Sequence, residues 1–378
     1  MAVHIADASK PFDIGESSHG FYSLQPRVYK MPRLFLWSAI LIASISVVLI
    51  FAPRATDPLI LTIRSSLDKN LTRVDTKTRH QSNSMRKAPF NMSKSLLNKA
   101  IIKPHPSAAR GHSDHGWLNT HHSFSFADWY NPDFTQFGSL RVLNEDRVKA
   151  MSGFPTHPHR DFEIFSYILS GELTHRDSVV SKSAGDGEQS DDFYRMHRGD
   201  VQFTTGGTGI AHSEMNEHKT DTVHFLQIWA VPWKRGLPPR YHTRHFDDGE
   251  KRKGFVTILS PLKGGQEATA QQEEAAEPMT ANSIPIHADF AMGAAIIAPQ
   301  ARFEWIVGNK STAATRRKVY VHLPMTNKGK AKIRLDGRQD AELSEGDGAF
   351  IQGVNAGDRL GVESIGEGDA EVIVLDTA

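Results

Sequence analysis

Two short segments of the chain each carry two potential metal ligands that are two residues apart. The first segment contains His157 and His159, and the second contains His212 and Glu214. In an extended strand, the side chains of residues i and i+2 point to the same side. Each segment would therefore present both of its ligands on one face, giving three imidazoles and one carboxylate. That donor set suits a divalent transition metal.

The residues around these segments predict strands that are joined by turns. Residues 162–169 alternate in polarity, are rich in aromatic and β-branched side chains, and end at Ser170 and Gly171. This pattern is typical of a strand that runs into a turn. The dipeptide Gly199-Asp200 predicts the turn into a further strand. Ligand pairs on strands connected in this way would line the interior of a small antiparallel barrel.

Several motifs in this order resemble the pirin family of the cupin superfamily, in particular its bacterial-type members. The resemblance runs from about residue 101 to residue 378 and leaves the first hundred residues unexplained. It implies an all-β bicupin, with two cupin-type, jelly-roll-like β-barrels and one mononuclear metal, usually iron, in the N-terminal barrel. The family's ligand positions match His157, His159, His212 and Glu214. The motifs are His157-Pro-His-Arg-Asp-Phe-Glu163, Gly171-Glu-Leu-Thr-His-Arg-Asp-Ser178, Gly199-Asp-Val-Gln202, Gly209-Ile-Ala-His-Ser-Glu214, Arg110-Gly-His-Ser-Asp-His-Gly-Trp117, His121-His-Ser-Phe-Ser-Phe-Ala-Asp128 and Phe137-Gly-Ser-Leu-Arg-Val-Leu-Asn-Glu-Asp146.

Two alternatives to this ligand set stay open at the level of sequence. Glu163 has the strand parity of His159, and cupins outside the pirin group often take a carboxylate from this position. It could therefore be a ligand, or it could orient a ligand imidazole. His112 and His115 have a spacing compatible with a second metal site, but a hairpin that caps the barrel explains them equally well. The other histidines singled out are expected to be hydrogen-bonded structural residues: His175, His197, His218, His224, His242 and His245.

The resemblance implies a dioxygenase of the quercetin 2,3-dioxygenase type, which acts on a small aromatic, flavonol-like substrate with O₂. Glu214 would be a ligand and also the base that takes the substrate hydroxyl proton. The expected cofactor is one divalent metal ion, Fe(II) first, although Mn, Ni, Cu and Zn accept the same ligands. Phe154, Phe162, Phe203 and Phe225 are predicted to form apolar walls. The alternative function is a non-enzymatic, iron-dependent, redox-sensing binding protein or transcription co-regulator.

Composition and charge restrict the remaining possibilities. The 378 residues include no cysteine, which excludes disulfides, thiolate catalysis and cysteine-ligated zinc or iron–sulfur sites. Residues 1–110 hold 16 Lys and Arg against 6 Asp and Glu, whereas the remainder holds 28 against 37. An acidic body argues against direct nucleic-acid binding by the barrels, because phosphate contacts need clustered Lys and Arg. The protein is expected to be a monomer.

The N-terminal region contains a candidate transmembrane helix at residues 34–52, from Leu34 to Ala52. These 19 residues carry no charge, and at ~1.5 Å per residue they can cross a ~30 Å hydrocarbon layer. The 33 residues before them are longer than the positively charged n-region that precedes the apolar segment of a typical signal peptide. A retained membrane anchor is therefore predicted. The alternatives are a mitochondrial targeting segment, or an unrelated first exon joined in error to a soluble cytoplasmic or nuclear protein.

Together these patterns predict five segments. The second barrel repeats the pattern of the first without its chemistry, because residues 346–353 echo residues 199–206 and no His-x-His or His-x-Glu follows Gly254. The predicted segments are an N-terminal tail (1–33), a transmembrane helix (34–52), a basic flexible linker (53–100), a metal-binding barrel (101–250) and a second barrel without metal ligands (251–378).

Overall fold

A computed structural model describes Leu97 and residues 99–178, 193–308 and 316–378. The predicted tail, transmembrane helix and most of the linker lie outside these residues and stay predictions. Within the described part of the chain, no helix is both long and apolar enough to cross a membrane.

The described residues are built mainly of β-strands, which confirms the predicted all-β class. They include two short helices near the middle of the chain's β-rich part, α1 (Asp248–Lys251) and α2 (Ala270–Ala275). Single 3₁₀ turns lie at Ser107–Ala109, Pro132–Phe134, Gly265–Glu267 and Gln339–Ala341. The strands are β1 (Ile101–His105), β2 (Gly111–Asp114), β3 (Leu118–His122), β4 (Leu140–Val148), β5 (Ser152–His159), β6 (Glu163–Ser170), β7 (Leu173–Asp177), β8 (Tyr194–Met196), β9 (Asp200–Thr205), β10 (Ile210–Asn216), β11 (Val223–Ala230), β12 (Arg240–His245), β13 (Val256–Pro261), β14 (Ile284–Ile286), β15 (Phe290–Ile297), β16 (Arg302–Ile306), β17 (Arg316–His322), β18 (Lys332–Leu335), β19 (Glu342–Ser344), β20 (Gly348–Asn355), β21 (Arg359–Ser364) and β22 (Ala370–Thr377).

The strands form two sandwiches, each made of a seven-stranded and a four-stranded sheet. In the first sandwich the large sheet has the order β12-β9-β6-β11-β4-β3-β2 and the small sheet β5-β10-β7-β8. In the second the large sheet has the order β1-β20-β17-β22-β15-β13-β14 and the small sheet β16-β21-β18-β19. The echo between residues 199–206 and 346–353 corresponds to β9 and β20, which occupy equivalent places one strand in from an edge.

The position of β1 differs from the predicted domain boundary. The range 101–250 was predicted to form the first barrel, but β1 pairs antiparallel with β20 of the second sandwich, from Ile101 opposite Gln352 to His105 opposite Gly348. Ile102 is buried in the hydrophobic core of that sandwich. The pairing is between residues far apart in sequence, so the local pattern that predicts a strand does not indicate which sheet it joins.

The central strands of the first sandwich alternate between two environments. On β6, Phe165 and Tyr167 belong to a hydrophobic core that also contains Phe290 and Leu375 of the second sandwich. The intervening residue Ser166 is also fully buried, but it contacts polar groups inside the first sandwich. Because strand side chains alternate in direction, odd-numbered residues of β6 hold the two sandwiches together and even-numbered residues line the interior of the first.

A buried carboxylate also joins the two sandwiches. Glu145 on β4 accepts hydrogen bonds from Arg110 Nη1 (3.2 Å), His224 Nε2 (2.9 Å), His322 Nε2 (3.1 Å) and the backbone N of Met325 (2.8 Å). Burial alone would raise the pKa of Glu145, but the hydrogen bonds from His224 and His322 and the charge of Arg110 hold it well below its usual value. His322 and Met325 belong to the second sandwich, so this ionised group links the two.

Candidate metal centre

The three predicted histidine ligands meet inside the first sandwich. His157 and His159 lie on β5, and His212 on β10 is directly opposite His157 in the antiparallel register. The ring centroids are 4.7 Å apart for His157 and His159, 4.6 Å for His157 and His212, and 4.7 Å for His159 and His212. The Nε2 atoms of His157 and His212 are 3.1 Å apart. Two nitrogens at ~2.1 Å from one ion, at a right angle, would be ~3.0 Å apart, so the spacing fits a single metal.

The hydrogen bonds of the imidazoles also fit metal binding. His157 Nδ1 donates to the backbone oxygen of Pro155 (2.7 Å), which leaves the Nε2 lone pair of the neutral ring free to face the metal. His212 Nδ1 lies 2.9 Å from His175 Nε2. Burial lowers the pKa of His159 to about 4, with a smaller contribution from His157. Burial likewise lowers the pKa of His212. His159 and His212 are therefore neutral at pH 7, as a metal ligand must be.

Glu214 is close to the histidines but is held by other groups. Its Oε1 accepts hydrogen bonds from Ser166 Oγ (2.8 Å) and Gln202 Nε2 (3.4 Å), and its Oε2 accepts one from Gln227 Nε2 (2.7 Å). The ligand atoms of the three histidines lie within 4.8 Å of one another, and the Glu214 carboxylate is not part of that group. Burial raises the pKa of Glu214, while these donors and His157 oppose the rise.

The strand register does not separate Glu214 from His212. A β-bulge shifts the pairing of β10 with β5, so that Glu214 is opposite Phe154 rather than Pro155, but the extra residue lies on β5. The pairing of β10 with β7 continues unshifted from His212 to Glu214, so Glu214 keeps the parity of His212 and its carboxylate is held by donors from the facing sheet. The structure therefore brings together three of the four residues predicted as ligands, and places the fourth carboxylate on a ring of polar donors beside them.

The alternative carboxylate, Glu163, points away from the histidines. Its Oε2 accepts a hydrogen bond from Thr205 Oγ1 (3.1 Å), and its Oε1 lies 3.3 Å from Nδ1 of His287 in the second sandwich. The prediction that Glu163 could be a ligand or orient a ligand imidazole is wrong. Strand parity does not carry over from His159, because a turn containing Asp161 (φ 57°) separates β5 from β6 and the two strands belong to different sheets.

Two residues that contact the histidines were not identified from the sequence. His175 is a buried, hydrogen-bonded residue as expected, but its partner is the predicted ligand His212, and with Asp177 and His212 it forms a second group of metal-compatible side chains. Trp229 packs edge-on against His159, with the ring centroids 4.9 Å apart. Two signals in the sequence could have indicated these residues. His175 and Asp177 form an i, i+2 pair, and Trp229 shares the inward parity of Gln227 on β11.

The predicted apolar walls are correct only in part. Phe162 packs against Trp229 with a centroid distance of 5.3 Å, and Phe154 contacts Trp117 at 5.2 Å. Phe203 and Phe225 are fully buried in hydrophobic cores. Phe203 is on the outward parity of β9, so it packs between the two sandwiches instead of facing the histidines.

The proposed second site at His112 and His115 is not assembled. His112 stacks on His121 with a centroid distance of 4.5 Å, and its Nε2 is 3.1 Å from Asn119 Nδ2. Among the described residues, both groups of side chains that could hold a metal ion lie in the first sandwich around His212. The hairpin of β2 and β3 accounts for the histidines in this region.

Comparisons with known proteins agree with this geometry. The pirin family model matches residues 104–230. A Pseudomonas aeruginosa protein named "Putative quercetin 2,3-dioxygenase PA1210" is 43% identical over 168 residues, which are 44% of this chain and 67% of that protein. The chain belongs to the pirin family. The quercetin 2,3-dioxygenase of Escherichia coli K12 is also 43% identical, over 152 residues that cover 40% of this chain and 60% of that enzyme.

A solved structure extends the similarity beyond the first sandwich. The bacterial pirin YhhW from Escherichia coli, in complex with nickel(II), matches with a TM-score of 0.57 and 30% identity. The match covers 73% of this chain and 99% of YhhW. A match of this extent covers both sandwiches and confirms the predicted pirin resemblance.

Proposed function

We propose that the protein is a pirin-type dioxygenase that uses one mononuclear metal, most simply Fe(II), to oxidise a flavonol-like substrate with O₂. The observation that carries the proposal is the triangle of imidazoles from His157, His159 and His212, whose ring centroids are 4.6 to 4.7 Å apart. The names of the relatives from Pseudomonas aeruginosa and Escherichia coli support the reaction type.

The protein's own side chains prepare this site. His157 is oriented by the Pro155 carbonyl and His212 by His175, so both rings are fixed before a ligand arrives. Trp229 packs on His159 and restricts its rotation. A bound divalent metal would supply Lewis acidity toward a deprotonated enol or phenol and, as Fe(II), an electron for O₂.

Glu214 is proposed as the base for the substrate hydroxyl and as an additional metal ligand. Three side-chain donors, Ser166, Gln202 and Gln227, hold its carboxylate inside the sandwich. Burial raises the pKa of Glu214 in spite of these donors, and a carboxylate with a raised pKa is a stronger base toward a substrate proton. The residue is 1% exposed, so water competes poorly for that proton.

The substrate is proposed to enter beside His159. A cavity of about 470 Å³ is lined there by His159, Pro158 and Ile210, among others. Its size is within the usual range for small-molecule sites. Its lining combines apolar Pro158, Ile210 and Ala211 with polar Arg160, Ser178 and Thr208, which suits an aromatic substrate that carries hydroxyl groups.

The test is an aerobic assay of the full-length chain with quercetin. Metal-loaded protein is expected to consume quercetin and O₂, and protein stripped with a chelator is expected to lose that activity and regain it with Fe(II). The matched control replaces exposed His115 by Ala and keeps full activity. Stoichiometric metal without turnover of any flavonol would overturn the enzymatic proposal in favour of an iron-dependent redox-sensing protein.

Membrane anchoring through residues 34–52 is proposed separately, on the sequence alone. Alkaline carbonate extraction of cells that express the full chain should leave the protein in the membrane pellet. Deletion of residues 1–52 should move it to the supernatant. Release of the full chain by carbonate would contradict the anchor.

A further inference from the structure

Two cavities outside the histidine triangle adjoin one another. One has a volume of about 530 Å³ and the other about 610 Å³. Both are lined by Gln136 and by the consecutive residues Val231, Pro232 and Trp233. They therefore form two compartments on either side of one short segment.

The two compartments differ in chemistry. The smaller one adds the apolar residues Pro261 and Ala288 to the shared segment, and also the carboxylates Glu267 and Asp289, of which Asp289 pairs with Arg317. The larger one adds four cationic side chains, Arg141, Arg160, Lys234 and Arg235, while the acidic residue in its lining is Asp161. A compartment with an apolar wall thus opens beside a basic one.

Among the described residues, Arg141, Arg160 and Arg235 have no ion-pair partner, whereas Lys234 pairs with Glu273. Arg141 Nη1 donates to the Ser125 carbonyl (2.8 Å) and Arg160 Nη2 to the Thr208 carbonyl (2.9 Å). Across the described ranges, neither these two nor Arg235 has a carboxylate within salt-bridge distance. Asp161 instead accepts a hydrogen bond from the backbone N of Gly236 (2.8 Å). Residues 111–378 carry more acidic than basic side chains, so this cluster is an exception on an acidic body.

Trp233 is fixed at the boundary between the compartments. Its backbone N donates to the His287 carbonyl (2.8 Å). Its ring packs edge-on against the His287 imidazole, with the ring centroids 6.1 Å apart. Its indole Nε1 is buried and has no hydrogen-bond partner among the described residues. A buried donor without an acceptor is unfavourable, and an acceptor on a bound molecule would relieve it.

We propose that these cavities form one binding site for an amphipathic organic anion, meaning a carboxylate or phosphate group carried on an aromatic or aliphatic body. Guanidinium groups match the geometry of such oxyanions, and the compartment beside Trp233 accepts the apolar body. Both volumes are within the usual range for small-molecule sites. The site requires no bound metal and no catalytic activity, although Phe162 in its lining also contacts Trp229 next to His159.

The first test compares charged and neutral probes of one shape. Isothermal titration calorimetry of the full-length protein measures the dissociation constants of 2-naphthoate, 2-naphthyl phosphate and neutral 2-naphthamide. The dissociation constants of the two anions are expected to be at least about tenfold lower than that of the amide. The affinity of the anions should fall when salt is raised from about 50 to 500 mM, because screening weakens the attraction. The stronger of the two anions identifies the preferred group. Equal binding of the neutral amide would overturn the proposal.

The second test uses variants and metal removal. The double substitution Arg160→Gln and Arg235→Gln should weaken binding of both anions about tenfold or more, and leave the neutral amide unchanged. Arg244→Gln, at an exposed arginine on β12 outside both cavities, should change the affinity less than about twofold. Wild-type affinity in the double variant would contradict the site. An affinity that disappears when the metal is stripped would assign the anion to the histidine triangle and also overturn the proposal.

Discussion

The two sandwiches share the arrangement of their central strands but differ in the side chains that those strands direct into the interior. In the first, β6, β9 and β11 contribute Ser166, Gln202 and Gln227, whose polar groups meet the Glu214 carboxylate. In the second, the corresponding strands β17, β20 and β22 contribute aliphatic side chains to a closed hydrophobic core: Val319, Val321, Ala349, Ile351, Val372 and Val374.

The difference shows how one scaffold can serve two purposes. A polar interior is stable only if each buried group finds a partner, and in the first sandwich the donors converge on one carboxylate beside three imidazoles. The second sandwich has a buried polar cluster, in which Asp376 accepts hydrogen bonds from Trp305 Nε1 (2.9 Å) and Arg317 Nε (2.9 Å). The rest of its interior buries apolar surface, which favours folding. Substitutions inside the first sandwich should therefore affect metal binding and activity before stability, and those inside the second should do the reverse.

The largest effect is expected from removing the histidines. The double substitution His157→Ala and His159→Ala should reduce the metal content of the purified protein to less than about a tenth, because one imidazole cannot hold the ion alone. Atomic emission spectrometry after loading with Fe(II), Ni(II) or Zn(II) measures this. His115→Ala, in the exposed β2–β3 hairpin, is the control and should keep full occupancy. Full metal content in the double variant would disprove the assignment of the site.

The next effect tests the boundary between the sandwiches. Glu145→Gln should lower the free energy of unfolding by about 3 kcal/mol, because it leaves Arg110, His224 and His322 without their shared anion. The pKa of Glu145 is held below its unfolded value, so this stabilisation is complete above about pH 4.5 and is lost as the pH falls through the folded value. Urea unfolding at pH 7 and pH 3 measures it, because the loss amounts to about 1.4 kcal/mol for each pH unit below the unfolded pKa. An unchanged gap between wild type and variant at pH 3 would contradict the ionised network.

A matched pair of substitutions tests the comparison directly. Gln227→Leu removes the donor to Glu214 Oε2 and should lower kcat/KM for quercetin about tenfold, since a hydrogen bond to a charged group contributes about 1.5 to 3 kcal/mol. Val374→Ala, on the corresponding strand β22, should cost about 2 kcal/mol of stability through its cavity and leave kcat/KM unchanged. Steady-state kinetics and urea unfolding of both variants provide the measurements. The reverse assignment of the two effects would refute the division between sandwiches.

The histidine triangle could be predicted from the sequence because its geometry is mostly local. The i, i+2 rule holds within β5, and motif resemblance indicated which distant strand carried His212. The same rule holds for His212 and Glu214 on β10, which pairs with β7 without a shift. The sequence could not indicate that Ser166, Gln202 and Gln227 hold the Glu214 carboxylate, because these donors come from three other strands.

The errors in the sequence predictions all involve relations between distant strands. Glu163 was assigned the parity of His159, but that rule fails when the chain turns into another sheet. β1 was assigned to the barrel that follows it in sequence, but its partner is β20. Phe203 was assigned to a wall of the site, but the second sandwich covers its side of β9. Each error requires tertiary pairing that residue type and spacing do not encode.

The smallest effect concerns a second contact between the sandwiches, at His287. Its Nε2 is 3.0 Å from Glu273 and its Nδ1 is 3.3 Å from Glu163, while Lys234 pairs with the same Glu273. Burial alone would lower the pKa of His287, but the two carboxylates raise it above its usual value. A raised pKa means that the stabilisation is complete below the unfolded value of about 6.5 and is lost as the pH rises through the folded value.

His287→Gln should therefore lower the free energy of unfolding by about 1 kcal/mol at pH 6 and by less at pH 9. Urea unfolding at both pH values, with the exposed His197→Gln as control, measures the difference. Because Glu145 loses its contribution on acidification and His287 loses its own on alkalinisation, the two contacts should respond to pH in opposite directions. A loss that is the same at pH 6 and pH 9 would mean that His287 acts through its shape and hydrogen bonds rather than its charge.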